Sequence, residues 1–123
     1  MPHQNIFIIE DDADLRETMK ELLEIEGFSV ITAENGQEGM KLFERNGKPC
    51  LVLLDMMMPV MNGWEFLETM QRDQQALLAE TQVAVVSAAV EMSDVQQYGC
   101  SLLRKPVNVD RLFALAHAAC DGC

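Results

Sequence analysis

The sequence predicts an α/β domain, a parallel sheet of five strands with helices on both faces. Two observations carry this. Ile6-Phe7-Ile8-Ile9, Leu51-Val52-Leu53-Leu54 and Val83-Ala84-Val85-Val86 are short apolar runs without polar alternation, as expected of strands buried on both sides. The segments between them place apolar residues at helical spacing, and parallel strands need such crossovers. The chain has 123 residues, enough for one core and too few for two. Residues 1–123 are therefore expected to form a single domain.

Each element has its own signal. After the first strand, Asp14 and Glu17 form a candidate cap pair. Leu15, Met19, Leu22 and Leu23 then follow a helical stripe, and Gly27 stops the helix. Ser29 to Ala33 reads as the second strand. Asn35 and Glu38 open a second helix with Met40 and Phe43 on its inner face. The third strand ends at Asp55. Asn62-Gly63 turns the chain into a helix bearing Phe66, Leu67 and Met70, with Trp64 packed at its start. The fourth strand ends at Ser87. A helix of undefined length follows, then a short strand near Leu102-Leu103, then Lys105-Pro106. A last helix carries Leu112, Phe113, Ala116 and Ala119. Five strands thus alternate with five helices. Right-handed crossovers leave few topologies, and the flavodoxin-like order 2-1-3-4-5 is the expected one.

Composition excludes several functions. Nine Lys+Arg face 20 Asp+Glu, a formal charge of −11. That balance disfavours nucleic acid and anionic membranes, which need clustered cations. No apolar run reaches the length of a membrane span. Met-Pro-His-Gln-Asn at the N-terminus has no signal-peptide pattern. Cys50, Cys100, Cys120 and Cys123 are read as thiols in a reducing cytoplasm, and Cys120-Asp-Gly-Cys123 cannot complete a zinc site alone.

The chemistry gathers at strand ends. Ligands of such sheets bind beyond the carboxyl ends, near the switch in strand order. There the chain places Glu10-Asp11-Asp12, Asp55, Ser87 and Lys105. Packed carboxylates repel unless a cation joins them. Mg²⁺ suits best, because it accepts few protein carboxylates and keeps several waters. Lys105 adds a cation and Ser87 a hydroxyl donor, a set that suits phosphoryl transfer with Asp55 as nucleophile. Asp14 is expected to cap its helix and Asp12 to stay outside the ligand set. Met56, Met57, Met58 and Met61 read as packing.

Ile-Ile-Glu-Asp-Asp-Ala-Asp-Leu-Arg, Leu-Leu-Asp-Met-Met-Met-Pro-Val-Met-Asn-Gly, Val-Val-Ser-Ala and Lys-Pro follow one another in this order. Together they resemble the response-regulator receiver domains of two-component systems, over about residues 5 to 118. The resemblance implies that Glu10, Asp11, Asp55 and the Met57 backbone carbonyl hold Mg²⁺. It implies that Asp55 is the phosphoacceptor, that Ser87 and Lys105 contact the phosphoryl group, and that Pro106 follows a cis bond. The phosphodonor would be a histidine on a partner kinase or histidine phosphotransfer protein, since neither His3 nor His117 lies at a strand end. Output would be contact with a downstream protein, by a monomer or a dimer. Such a chain catalyses only its own phosphorylation and slow dephosphorylation and is not otherwise an enzyme.

The chain departs from the family pattern in three places. The stretch from Ser87 to Lys105 is short, Leu102 replaces a common aromatic residue, and Val107 follows Lys-Pro where Phe is frequent. These motivate an alternative, a phosphate-independent pseudo-receiver. A phosphatase with an aspartyl-phosphate intermediate is disfavoured, since Asp55 is followed by Met56-Met57 and not by x-Asp.

Overall fold

The computed structural model describes residues 5–58 and 60–121. Five parallel strands, β1 (Asn5–Ile9), β2 (Ser29–Ala33), β3 (Leu51–Asp55), β4 (Gln82–Ser87) and β5 (Ser101–Arg104), pair in the order β2-β1-β3-β4-β5. The expected fold and strand order are both found. Ile9 pairs with Ala33 and with Leu54, and Asp55 pairs with Val86. The carboxyl ends of β1, β3 and β4 are thereby level with one another.

The apolar strands fill two cores. Phe7, Ile9, Val52, Leu54, Val83 and Val85 face one side. There they meet Leu42 and Phe43 of α2 (Gly36–Asn46) and Phe66, Leu67 and Met70 of α3 (Gly63–Asp73). Ile6, Ile8, Leu51, Leu53, Ala84 and Val86 face the other. There they meet Met19 and Leu23 of α1 (Ala13–Ile25) and Leu112 and Ala116 of α6 (Val109–Cys120). Each fully buried aliphatic or aromatic side chain contributes about 1.5–3 kcal/mol, so central strands lacking any polar face are the favoured solution.

Six helices, not five, occur among the described residues. The additional α4 (Gln75–Ala79) follows α3 directly and has no side-chain cap. Its Leu77 and Leu78 pack on the first core and extend the apolar spacing of α3, which hid the break from the sequence. The helix after β4, α5 (Met92–Gln96), has only five residues, in keeping with the short segment expected there. Leu102 is buried and Val107 is partly buried, on opposite cores.

Asn35 caps α2 as expected, and at the helix start expected at Asn62-Gly63 the structure adds a reciprocal capping box between Asn62 and Glu65. At α1 the expectation is corrected. Asp12 is the cap, its carboxylate accepting from the Asp14 and Leu15 amides, and Asp14 lies in the first turn. Both spacings fit the sequence. The extended backbone of Asp12 (φ −73°, ψ 108°) decides between them.

The cysteines also require correction. Cys50 and Cys120 are joined in a disulfide across a sequence separation of 70. The residue before β3 and the end of α6 meet only in the folded topology, so no local spacing announced the pair. Cys100 is a buried free thiol. Cys123 and His3 lie outside the described residues.

The loop after β3 contains a strained position. Val60 has φ 69° and is 72% exposed. A β-branched residue is disfavoured in the left-handed region, and glycine is not. Val60→Gly is expected to stabilise the protein by about 1 kcal/mol, after the greater chain entropy of glycine is counted. Thermal melting checks this as a rise in Tm.

Candidate functional site

The site is built by β1 and β3 ending side by side. Glu10 and Asp55 are buried, Asp11 is exposed, and the three offer carboxylate oxygens within 4.8 Å of one another. Lys105 reaches in from beyond β5, its Nζ 3.5 Å from both Glu10 Oε1 and Asp55 Oδ1. The Lys105–Pro106 peptide bond is cis. The Lys105 amide donates to the Ser87 carbonyl at 3.1 Å, which fixes the lysine beside the end of β4.

Local structure holds the acidic groups in register. The Glu10 amide donates to Ala33 O at 3.0 Å, and Glu10 Oε2 accepts from the Asp12 amide at 3.2 Å. The Met57 amide donates to Asp55 Oδ1 at 3.2 Å while its side chain is 72% exposed. Met56 is fully buried, Met58 nearly so and Met61 packs on the first core, which fits the packing role expected of them, whereas Met57, expected to pack as well, is exposed to solvent instead. Gly63 lets α3 start against this loop. A Cβ there would stand 2.7 Å from Met56 Cα and 2.8 Å from Asp55 O. Trp64 packs on the first core at the start of α3, facing Tyr98 at 6.0 Å between ring centroids.

The electrostatics show crowding that one lysine does not relieve. Burial, then the hydrogen bond and charge of Asp55, push the Glu10 carboxyl up from 4.5 to about 8. Burial and Asp55 raise Asp11 as well. Glu10 Oε1 is buried with no hydrogen bond, its one charged neighbour being the Lys105 ammonium at 3.5 Å, and an under-satisfied buried polar atom is costly. Three converging carboxylates and a buried oxygen without a hydrogen bond fit a hard divalent cation with oxygen ligands.

Ser87 is buried at the end of β4, and its Oγ accepts from the Ala89 and Val90 amides at 3.1 and 3.3 Å. It shapes its own loop and does not cap α5, whose cap is Glu91. The structure thus brings Glu10, Asp11, Asp55 and Lys105 together and places Ser87 at the adjoining strand end.

One contributor was not read from the sequence. Arg16 Nη1 donates to the Glu10 carbonyl at 2.8 Å. From the first turns of α1 it reaches back to fix the loop that presents Glu10. Arg16→Met is expected to weaken divalent-cation binding roughly tenfold with the fold retained. Titration of Trp64 fluorescence with Mg²⁺ measures it.

A doubly wound α/β protein with an acidic cluster and a lysine at its strand ends is the class that fold and site define. Comparison with known proteins makes this specific. The response regulator receiver domain family matches residues 6–117, and the chain belongs to that family. The Escherichia coli transcriptional regulatory protein CpxR is 40% identical over 70 residues, covering 57% of this chain and 29% of CpxR. A cyclic di-GMP phosphodiesterase of Thermotoga maritima is 30% identical over 114 residues, covering 92% of this chain and 30% of that protein. The Vibrio cholerae chemotaxis protein CheY4 shares the fold with a TM-score of 0.83 at 20% identity, covering 96% of this chain and 99% of CheY4. A CheY-like receiver domain protein from Methanospirillum hungatei has a TM-score of 0.77 at 26% identity, covering 91% and 90% of the two chains. The chain spans about a third of the length of the curated relatives it matches. No helix among the described residues is long and apolar enough to cross a membrane.

Proposed function

We propose that Asp55 accepts a phosphoryl group from a histidine of a partner kinase or histidine phosphotransfer protein. One observation carries this reading. Asp55 Oδ1 is 3.5 Å from Lys105 Nζ, within an acidic cluster able to hold a divalent cation. An Asp55 oxygen forms the new O–P bond as the P–N bond to the partner's imidazole breaks. The imidazole leaves with that electron pair and takes up a proton. Lys105 faces the charge gathering on the phosphoryl oxygens, and the Ser87 hydroxyl, released from its loop amides, can follow them.

Glu10, Asp11, Asp55 and the Met57 carbonyl are the proposed holders of Mg²⁺. Bound there, the ion supplies neutralisation of phosphoryl and carboxylate charge. Glu10 and Asp11 orient it. Water later attacks phosphorus, the O–P bond to Asp55 breaks, and the carboxylate is restored.

Residues 1–123 are read as one receiver domain that acts in the cytoplasm through contact with a downstream protein, as a monomer or a dimer. DNA is not its direct partner, given the net charge of −11. It is a phosphoacceptor and not an enzyme turning over free substrates. The phosphate-independent alternative gains no support from a site in which three carboxylates and Lys105 converge.

Incubation with Mg²⁺ and acetyl phosphate, followed by intact mass measurement, tests the reading. Wild type gains one phosphoryl group; EDTA or Asp55→Ala prevents it. No gain by folded, Mg²⁺-binding protein would overturn the proposal.

A further inference from the structure

We propose that Cys50 and Cys120 form a thiol–disulfide exchange site, open to small dithiols, that sets whether the last turn of α6 is held on the sheet. This goes beyond the phosphoryl chemistry. The pair lies at the opposite end of β3 from Asp55, roughly 16 Å away along the strand.

Three features support reversible exchange over a buried staple. First, both cysteines are only partly buried against the second core. Leu51 and Ala119, their chain neighbours, line a crevice of about 190 Å³ with Ser101, Leu115 and Ala118. The partial exposure of both cysteines leaves the pair within reach of a small thiol. Second, the body of α6 does not depend on the bond. Leu112 and Ala116 are fully buried, and Asn108 caps the helix start. Opening the bond leaves these anchors in place. Third, the other ties of the last turn are non-covalent and lie mostly at the surface. Beyond Ala116 it keeps partial burial of Ala119, the His117 ring 5.0 Å from that of Phe28, and the exposed contacts of His117 with Glu26 and Asp121. The bond is thus the strongest tie of a segment otherwise prone to fray. Cys100 belongs to the first core, on the other face of the sheet, and does not compete as a partner.

In a reducing compartment a pair of this kind persists only while an oxidant keeps it formed. A dithiol's thiolate attacks one sulfur, and the other leaves as a thiolate and takes a proton. The dithiol's second sulfur then displaces the first cysteine, which is protonated in turn. Cys50–Cys120 gains two electrons and two protons, and the dithiol becomes a disulfide.

The test uses the full chain carrying Cys123→Ser, so that one alternative partner is removed. After oxidation with glutathione disulfide, peptide mapping is expected to find positions 50 and 120 linked. Adding dithiothreitol is expected to speed hydrogen exchange of the last turn of α6 at least roughly tenfold, through a local opening in which the β1 and β3 amides stay protected. Cys120→Ser in the same background should exchange as the reduced protein does and ignore dithiothreitol. Free thiols at 50 and 120 after oxidation, or a last turn that exchanges equally slowly in both states and in Cys120→Ser, would overturn the proposal.

Discussion

Glu10→Gln is expected to stabilise the metal-free protein at pH 8, by roughly 2–4 kcal/mol, while abolishing Mg²⁺ binding. The two effects have one cause. Glu10 keeps its proton to about pH 8 in the folded protein because of burial and Asp55, against an ordinary value of 4.5. Between these pH values folding takes up a proton, so stability falls as pH rises. An amide removes that dependence and can donate to Asp55. His117 works in the same direction for a different reason. Glu26 and then Asp121 raise it above 6.5, so its stabilisation is complete below that pH and fades as pH rises through the raised value. The Glu10 contribution is therefore read as the difference between wild type and variant in urea melts from pH 5 to 8.5. Saturating Mg²⁺ should stabilise wild type and leave Glu10→Gln unmoved. A variant no more stable than wild type at pH 8 would show that Glu10 is not under electrostatic pressure.

Reducing the Cys50–Cys120 bond is expected to lower global stability by about 3–4 kcal/mol. A closure spanning 70 residues of sequence restricts the unfolded chain far more than the folded one. Urea melts with and without dithiothreitol measure this, and Cys120→Ser should match the reduced value. Equal midpoints in both states would mean that the bond does not form.

Most of the fold was legible because its signals are local. Ile6-Phe7-Ile8-Ile9 and Leu51-Val52-Leu53-Leu54 admit no polar face, and Asn35 and Asn62 each stand three residues before a Glu. Where two local patterns compete, the reading slipped, as with Asp12 and Asp14 at the start of α1. Where a pattern continues through a break, an element was hidden, as with α4 behind α3. Glu10, Asp11, Asp55 and Lys105 could be grouped because strand order alone makes their ends neighbours. The long-range partners had no such rule. Arg16 touching the Glu10 carbonyl, and Cys50 meeting Cys120, depend on side-chain direction and on the packing of α6, which periodicity does not encode.

The central claim is that Asp55 carries the acyl phosphate. Borohydride reduction of the phosphorylated protein converts an aspartyl phosphate to homoserine, and peptide fragmentation then locates it. Homoserine at position 55 alone is the expected result. Homoserine at position 11, the five-carbon alcohol 2-amino-5-hydroxypentanoic acid at position 10, or no reduced residue at all would contradict the account.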